Sequence, residues 1–425
     1  YILDELEIIF GIDKYNKISK IMFDNVISKL KQNKWIMNNE KGIHYLNINQ
    51  RTENLQGRTS TSPLRFQVYG INAVSEYCKS EQVADTGGNL KENIFITKKV
   101  RKLENDGKVW NSDTKTHERP PPLQPIFIDN YQCKVNYKVE TNYIDENIKE
   151  FHNSDTEKWV KREMEKWDDT TKIFRFIKRY SFTHEDFPFI IDCSVVKEPV
   201  ARKVGGRLIW VPYYHIKDSG LFENNEHFEI ELELNWNYIK NTIKDIQEKY
   251  PRYRVSDETF GTPRWGDFVG ESTISNKFLI DDIYKKIKGG IKIILSGLQD
   301  TNYPISYPEQ HEVIKKYIEL TFSEETPKKK KGRNPISKER LLEDNMAYKR
   351  QSKKYFIGPA NVTLERKHLS KKVIDDMPNI NNLYTITEKA DGQRRMLYIS
   401  DNGKIYFLDI NLSVTFIGCV RIRSI

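Results

Sequence analysis

The chain is poor in cysteine. It has four (Cys78, Cys133, Cys193 and Cys419), and no Cys-x-x-Cys pair. Such spacing argues against a disulfide framework or a zinc knuckle and points to a reducing compartment. No apolar run approaches the ~18 residues that a membrane-spanning helix needs, and no secretory leader is recognisable. An initiating methionine is lacking too: the chain opens on Tyr1, which reads as a piece of a longer protein. Internal repeats are absent. Charge is plentiful in both signs, with 69 Lys and Arg against 60 Asp and Glu, a net charge of +9. The excess favours an acidic partner such as nucleic acid or a nucleotide; the alternative is ordinary solvation of a lysine-rich chain. A length of 425 residues predicts two or more domains, each with its own core.

One boundary is plain in the composition. Residues 323–335, SEETPKKKKGRNP, combine two prolines with four consecutive lysines and read as an exposed tether between 1–322 and 336–425. Guiding RNA is the other role open to Lys328–Lys331. Upstream, Ile18, Met22, Val26 and Leu30, joined by Phe23 and Ile27, predict a helix over 16–34. Strand-like runs follow near 64–69, 93–101, 126–128, 133–140, 173–182, 188–197, 207–214 and 228–234, and residues 236–249 and 279–297 read as helical. The proline-rich 119–125 predicts an extended connector. The first 320 residues therefore read as a many-stranded β domain with helices packed outside.

Two segments place acids at alternate positions: Glu5-Leu6-Glu7-Ile8, and Glu229-Ile230-Glu231-Leu232-Glu233-Leu234. Residues i and i+2 of a strand share a face, roughly 6.5–7 Å apart. Each segment thus has a carboxylate face and an apolar face. If the two acidic faces meet, they form an oxygen-rich site for a hard cation such as Mg²⁺ or Mn²⁺. Taken singly, either segment is equally an amphipathic strand with a wet acidic side. Cationic strands match them. Arg175, Ile177 and Arg179 share one face with Lys178 opposite, Lys134, Lys138 and Glu140 share another, and Arg65 lies in Leu64–Val68. Acidic and basic faces enclosing one space would suit a metal with a polyphosphate. The alternative for each cation is surface pairing with nearby acids.

Near the C-terminus stands Glu388-Lys389-Ala390-Asp391-Gly392-Gln393-Arg394, between strand-like runs at 383–387 and 396–399. A lysine at a strand end can attack the α-phosphate of a nucleotide and hold it as a phosphoramidate, provided that it is partly deprotonated. Gly392 would let the backbone approach the nucleotide closely, and Asp391 and Arg394 could orient lysine and ribose. Lys-x-Asp-Gly is too short to carry that reading alone.

Together these residues resemble the N-terminal part of multifunctional mRNA capping enzymes of large DNA viruses, of the mimivirus-like and African-swine-fever-like kind. Lys389–Arg394 is similar to the KxDGxR motif of covalent nucleotidyltransferases. Glu5-Leu6-Glu7 and Phe228–Glu233 are similar to the acidic signatures of triphosphate tunnel metalloenzymes. Residues 133–140, 173–182, 190–198 and 297–317 add to the match. The resemblance implies an α+β protein: an eight-stranded antiparallel β tunnel with external helices, followed by a partial nucleotidyltransferase domain of the ATP-grasp-like, KxDG type. It implies Glu5, Glu7, Glu231 and Glu233 as metal carriers for Mg²⁺ or Mn²⁺, with Glu229 helping or positioning water. Arg65, Lys134, Lys138, Arg175 and Arg179 would hold the triphosphate, Asp192 would tie a basic residue in place, and Lys197 would be a further phosphate contact. Lys389 would be guanylylated from GTP, with Asp391, Gly392 and Arg394 at the nucleotide.

Departures matter as well. Ile9 and Ile177 stand where such enzymes often carry cations, so the grip on the triphosphate has to rely on other residues. The later nucleotidyltransferase motifs and a methyltransferase do not occur in these 425 residues. The expectation is therefore an RNA 5′-triphosphatase joined to the opening of a guanylyltransferase that does not itself transfer GMP. Its partners would be 5′-triphosphate RNA, GTP and a methyltransferase domain or subunit, with no membrane. Its setting would be viral, in a host-cytoplasmic factory or the virion. Two other readings are a polynucleotide ligase adenylated on Lys389, and a non-catalytic RNA- or polyphosphate-binding module.

Overall fold

Alternation with a period of two shapes the first unit. In the segment His227–Leu234, Ile230, Leu232 and Leu234 are buried, and the glutamates between them take the other face. The same pattern recurs in Leu64–Tyr69, where Leu64, Phe66 and Val68 are buried and Arg65 and Gln67 alternate with them. The computed structural model describes residues 2–11, 17–53, 59–101, 109–111, 116–118, 122–144, 151, 154–204, 207–235, 238–239, 241, 274–321, 356–357, 364–369, 379–381 and 392–421. The chain divides into two compact units, Tyr1–Asp300 and Thr301–Ile425.

Eight strands of the first unit close into an antiparallel barrel. They are β1 (Ile2–Phe10), β2 (Ile43–Glu53), β3 (Leu64–Tyr69), β4 (Ile94–Arg101), β5 (Cys133–Asn142), β6 (Lys172–Thr183), β7 (Phe189–Lys197) and β8 (His227–Leu234). Around the wall the order is β1-β5-β4-β3-β2-β6-β7-β8, and β8 pairs with β1 to complete the circle. Closure leaves none of these eight strands as a free edge.

The wall is apolar outside and polar inside, and helices cover its outer face. Helix α1 (Lys20–Gln32) buries Phe23, Val26 and Leu30, as its stripe predicts; it starts at residue 20 because Ser19 caps it, accepting from the Met22 amide at 3.2 Å. Phe23 packs on Phe228 of β8 with ring centroids 5.0 Å apart. Helices α2 (Ile71–Ser80) and α3 (Ser154–Glu165) contribute Val74, Tyr77 and Val160 to one apolar cluster. That cluster also takes Leu46 and Ile48 of β2, Leu64 and Phe66 of β3, Ile94 and Ile96 of β4, and Phe174 of β6. Helix α4 (Ile274–Leu298) comes close enough to need glycine twice. A Cβ on Gly297 would lie 2.4 Å from the Val26 Cα, and one on Gly290 would lie 2.6 Å from the Phe189 ring.

Some elements differ from the sequence reading. Strand β2 was not foreseen, because Asn47, Asn49 and Gln50 lower the β propensity of a run whose Leu46 and Ile48 are nevertheless core. The run at 207–214 is not a barrel strand: Arg207–Trp210 pairs with Ala201–Val204 in a separate two-stranded ribbon. Residues 126–128 do form a short strand, pairing with the start of β5. Most of 236–249, residues 119–121 of the proline-rich run, and all of the tether 323–335 lie outside the described residues.

In the second unit, helix α5 (Tyr307–Thr321) packs with an antiparallel meander of β9 (Met396–Ile399), β10 (Lys404–Leu408) and β11 (Val414–Val420). Val313, Ile314, Tyr317 and Ile318 of the helix share a core with Tyr398, Tyr406, Leu408 and Val414. The sequence reading attached this helix to the first domain; contacts group it with the second unit. Among the described residues no helix is long and apolar enough to cross a membrane.

Candidate functional site

Register brings the two acidic segments face to face. Strand β1 runs antiparallel to β8 with Glu7 opposite Glu233 and Ile9 opposite Glu231. The apolar partners of these acids are buried on the outer face, so the carboxylates line the interior. On the other side of β1, Glu7 stands opposite Asn136 and Glu5 opposite Lys138. Like charges this close in a low-dielectric space repel strongly; the barrel answers with cations from the neighbouring strands.

Lys99 of β4 reaches both Glu5 and Glu7, lying 3.2 Å from the Glu7 Oε2 and in closer contact with Glu5. Lys138 pairs with Glu7, and the Asn136 amide donates to the Glu7 Oε1 at 2.8 Å. Across the interior, Arg179 holds the Asp192 Oδ2 at 2.8 Å, the Glu231 Oε2 at 3.3 Å and the Ser194 hydroxyl at 3.2 Å. Arg175 donates to the Glu229 Oε1 at 2.6 Å and to the Glu198 Oε1 at 3.0 Å. Arg65 on β3 lies within electrostatic reach of Glu140, Arg175, Glu5 and Arg179.

The carboxylates are unequal as a result. Burial alone would raise Glu7, but Lys99 and Lys138 with hydrogen bonds from Lys138 and Asn136 outweigh it and hold the carboxyl at about 2. Burial raises Glu5; Lys99 offsets part of the shift, and Glu7 and Glu140 add to it. Burial also raises Glu231, opposed by Arg179. Glu233 is pushed up to about 8, first by burial and next by Glu5. One oxygen each of Glu5 and Asp192 is buried without a hydrogen-bond partner among the described residues.

These observations fit a hard divalent cation. The donors are carboxylates, one oxygen of Glu5 is orphaned among the described residues, and Glu233 is kept from ionising first by burial and next by Glu5, whose charge a cation would neutralise. Among the described residues no three such groups converge on one point as they stand. Holding a cation therefore requires carboxylates to turn away from Lys99, Lys138 or Arg179.

The interior thus gathers Glu5, Glu7, Arg65, Lys138, Arg175, Arg179, Asp192, Glu229, Glu231 and Glu233. Lys134, opposite Ile9, takes the same face of β5. Lys197 does not join them. It stands opposite Phe176 on the outer face, and its amine donates to the Phe222 carbonyl at 2.5 Å. Ile177 is buried on the inner face opposite Tyr45 and Val196. Lys99 is the main residue the sequence reading missed. A signal was present: Ile94 and Ile96 are outward, so the parity of β4 turns Thr97 and Lys99 inward.

In the second unit Lys389 and Asp391 lie outside the described residues. Gly392 is exposed with open space around it, and the Arg394 guanidinium lies 5.1 Å from the centre of the Phe356 ring. No protein-family model matches the chain, and no curated protein matches it.

Proposed function

We propose that the barrel is a metal-dependent RNA 5′-triphosphatase that removes the γ-phosphate of nascent mRNA during cap formation. On this reading the second unit opens a guanylyltransferase domain with Lys389 as the residue that takes GMP from GTP. A diphosphate RNA end is the acceptor for that GMP, which is why the two activities would be joined. The same reading places the protein in a large DNA virus, in the host-cytoplasmic factory or the virion, with a methyltransferase completing the cap.

The observation that carries the proposal is the register of β1 against β8. It puts Glu7 and Glu233 side by side inside a closed wall that also carries Arg65, Lys99, Lys138, Arg175 and Arg179. Mg²⁺ or Mn²⁺, held by Glu5, Glu7, Glu231 and Glu233, would supply the charge that polarises a γ-phosphoryl oxygen. The arginines and lysines would exchange their carboxylate partners for phosphate oxygens and take up charge on the leaving group. Glu229, released from Arg175, would orient the attacking water.

Phosphate release from γ-labelled triphosphate RNA tests this, run with Mg²⁺ or Mn²⁺ beside Glu7→Gln and Glu231→Gln of verified folding. Metal-dependent release that falls at least ~100-fold in both variants is expected. One observation favours the non-catalytic reading: Glu7 is already neutralised by two lysines. Tight polyphosphate binding without any metal-dependent turnover would establish that reading instead.

A further inference from the structure

The inner faces of β2, β3 and β4 change chemistry along their length. On β3 the inward side chains run Arg65, Gln67, Tyr69, since Leu64, Phe66 and Val68 belong to the outer core. On β2, Asn47 stands opposite Gln67 and Tyr45 opposite Tyr69. On β4, Thr97 stands opposite Arg65 and Phe95 opposite Gln67. Along β3 a charged level therefore gives way to an amide level and then to an aromatic rung of Tyr69 and Tyr45. Phe95 of β4 lies one step back beside Gln67, and Arg175 and Arg179 of β6 stand opposite Asn47 and Ile43. In the amide rung Gln67 Nε2 donates to the Asn47 Oδ1 at 3.0 Å. In the aromatic rung Tyr69 stands edge-on to both neighbours, with centroids 5.3 Å from Tyr45 and 6.0 Å from Phe95.

This rung is placed to meet a ligand. Tyr69 ends its strand and is 40% exposed. Tyr45 is near enough to Arg179 and Asp192 to feel both charges, which ties the aromatic rung to the ionised interior. Four residues of strand separate Arg65 from Tyr69, about 13 Å. A polyphosphate gripped at the Arg65 level would deliver its sugar to the amide rung and its base to the rings. Every base has a π-face, so stacking on an aromatic side chain tolerates any sequence. Asn and Gln side chains donate and accept, matching sugar hydroxyls.

We propose that Tyr45, Tyr69 and Phe95, separated from Arg65 by the Asn47–Gln67 amide pair, form a stacking subsite for the 5′-terminal nucleoside of a polyphosphate-bearing substrate. The inference rests on the polyphosphate reading of the interior and specifies what lies beyond the phosphates. Its ligand is a nucleoside 5′-polyphosphate, whether a free nucleotide or the end of an RNA.

Dissociation constants of the full chain, with and without Mn²⁺, test it for inorganic tripolyphosphate, GTP, ATP and a short 5′-triphosphate RNA. Tyr69→Ala is expected to weaken the base-bearing ligands about tenfold and to leave tripolyphosphate unchanged, with Tyr69→Phe retaining tight binding. Phe95→Leu, which keeps an apolar side chain, gives a smaller loss of the same kind. Loss for RNA alone identifies an RNA end as the ligand; equal loss for the nucleotides identifies the terminal nucleoside as sufficient. Unchanged affinity of every base-bearing ligand in Tyr69→Ala and Phe95→Leu overturns the subsite while the polyphosphate reading stands. Failure of the parent chain to bind tripolyphosphate in either condition overturns that reading, and the subsite with it.

Discussion

The two faces of the barrel wall are built from the same strands by opposite rules. Outside, Leu46, Ile48, Phe66, Ile96 and Phe174 are fully buried beneath helices, an arrangement that gains stability from each apolar group removed from water. Inside, carboxylates crowd together, two of their oxygens lack partners among the described residues, and Glu233 is held far above its ordinary ionisation range. A wall that folds by its outer face can carry repulsion on its inner face. On the proposed reading such repulsion is kept for what the interior binds, since a folding role alone would be served better by neutral side chains.

The sharpest way to break this contrast is to trim each face once. Phe66→Ala removes a fully buried ring that packs edge-on against Trp167 at 4.9 Å, and is expected to cost about 3–5 kcal/mol in chemical denaturation. Glu233→Gln, in chelator at neutral pH, is expected to stabilise the same unit, because it removes a carboxyl that burial, and next Glu5, keep from ionising in the folded state. A destabilised Glu233→Gln would mean that the carboxylate is structural, and the distinction between the faces would fail.

Period-two alternation made the faces legible in sequence. From it came the grouping of Glu5 with Glu7, of Glu229 with Glu231 and Glu233, and of Arg175 with Arg179, and seven of the eight barrel strands were visible as runs. Which face meets which was not legible, because register depends on pairings distant in sequence. Lys197 shows a reading that parity could have corrected. It lies five residues from Asp192, an odd step that turns it to the other side of β7. Lys99 was open to the same argument. Strand β2 was hidden by its amides: Asn47 and Asn49 take the inner face, and Gln50, on the outer face, bonds to Glu163 and Thr170.

Titration separates the inner carboxylates by sign. Glu7, held at about 2 against an ordinary 4.5, stabilises the fold fully above about pH 4.5 and loses that contribution as pH falls toward 2. Glu233, raised to about 8, behaves oppositely: its contribution is complete below about pH 4.5 and is lost as pH rises through 8. In chelator the melting temperature is thus expected to decline between about pH 5 and 8, and Glu233→Gln is expected to flatten that slope. The acid-side decline should survive in Glu233→Gln and shrink in Glu7→Gln. An unchanged slope in Glu233→Gln would remove the repulsion from the account.

Divalent cation gives the smallest and most specific difference between the faces. A ligand that binds only the folded state adds about 2.7 kcal/mol at a hundred times its Kd. For a unit of this size that is a rise of several degrees in melting temperature. Mn²⁺ is expected to produce such a rise in the parent chain and in a mild outer-face variant such as Ile96→Val, which leaves every interior carboxylate in place. In Glu233→Gln the rise should shrink or vanish, although that variant starts from the higher melting temperature in chelator. The two curves should therefore converge or cross as Mn²⁺ is added. Parallel curves would show that the inner acids bind no cation, and the repulsion between them would need another ligand to explain it.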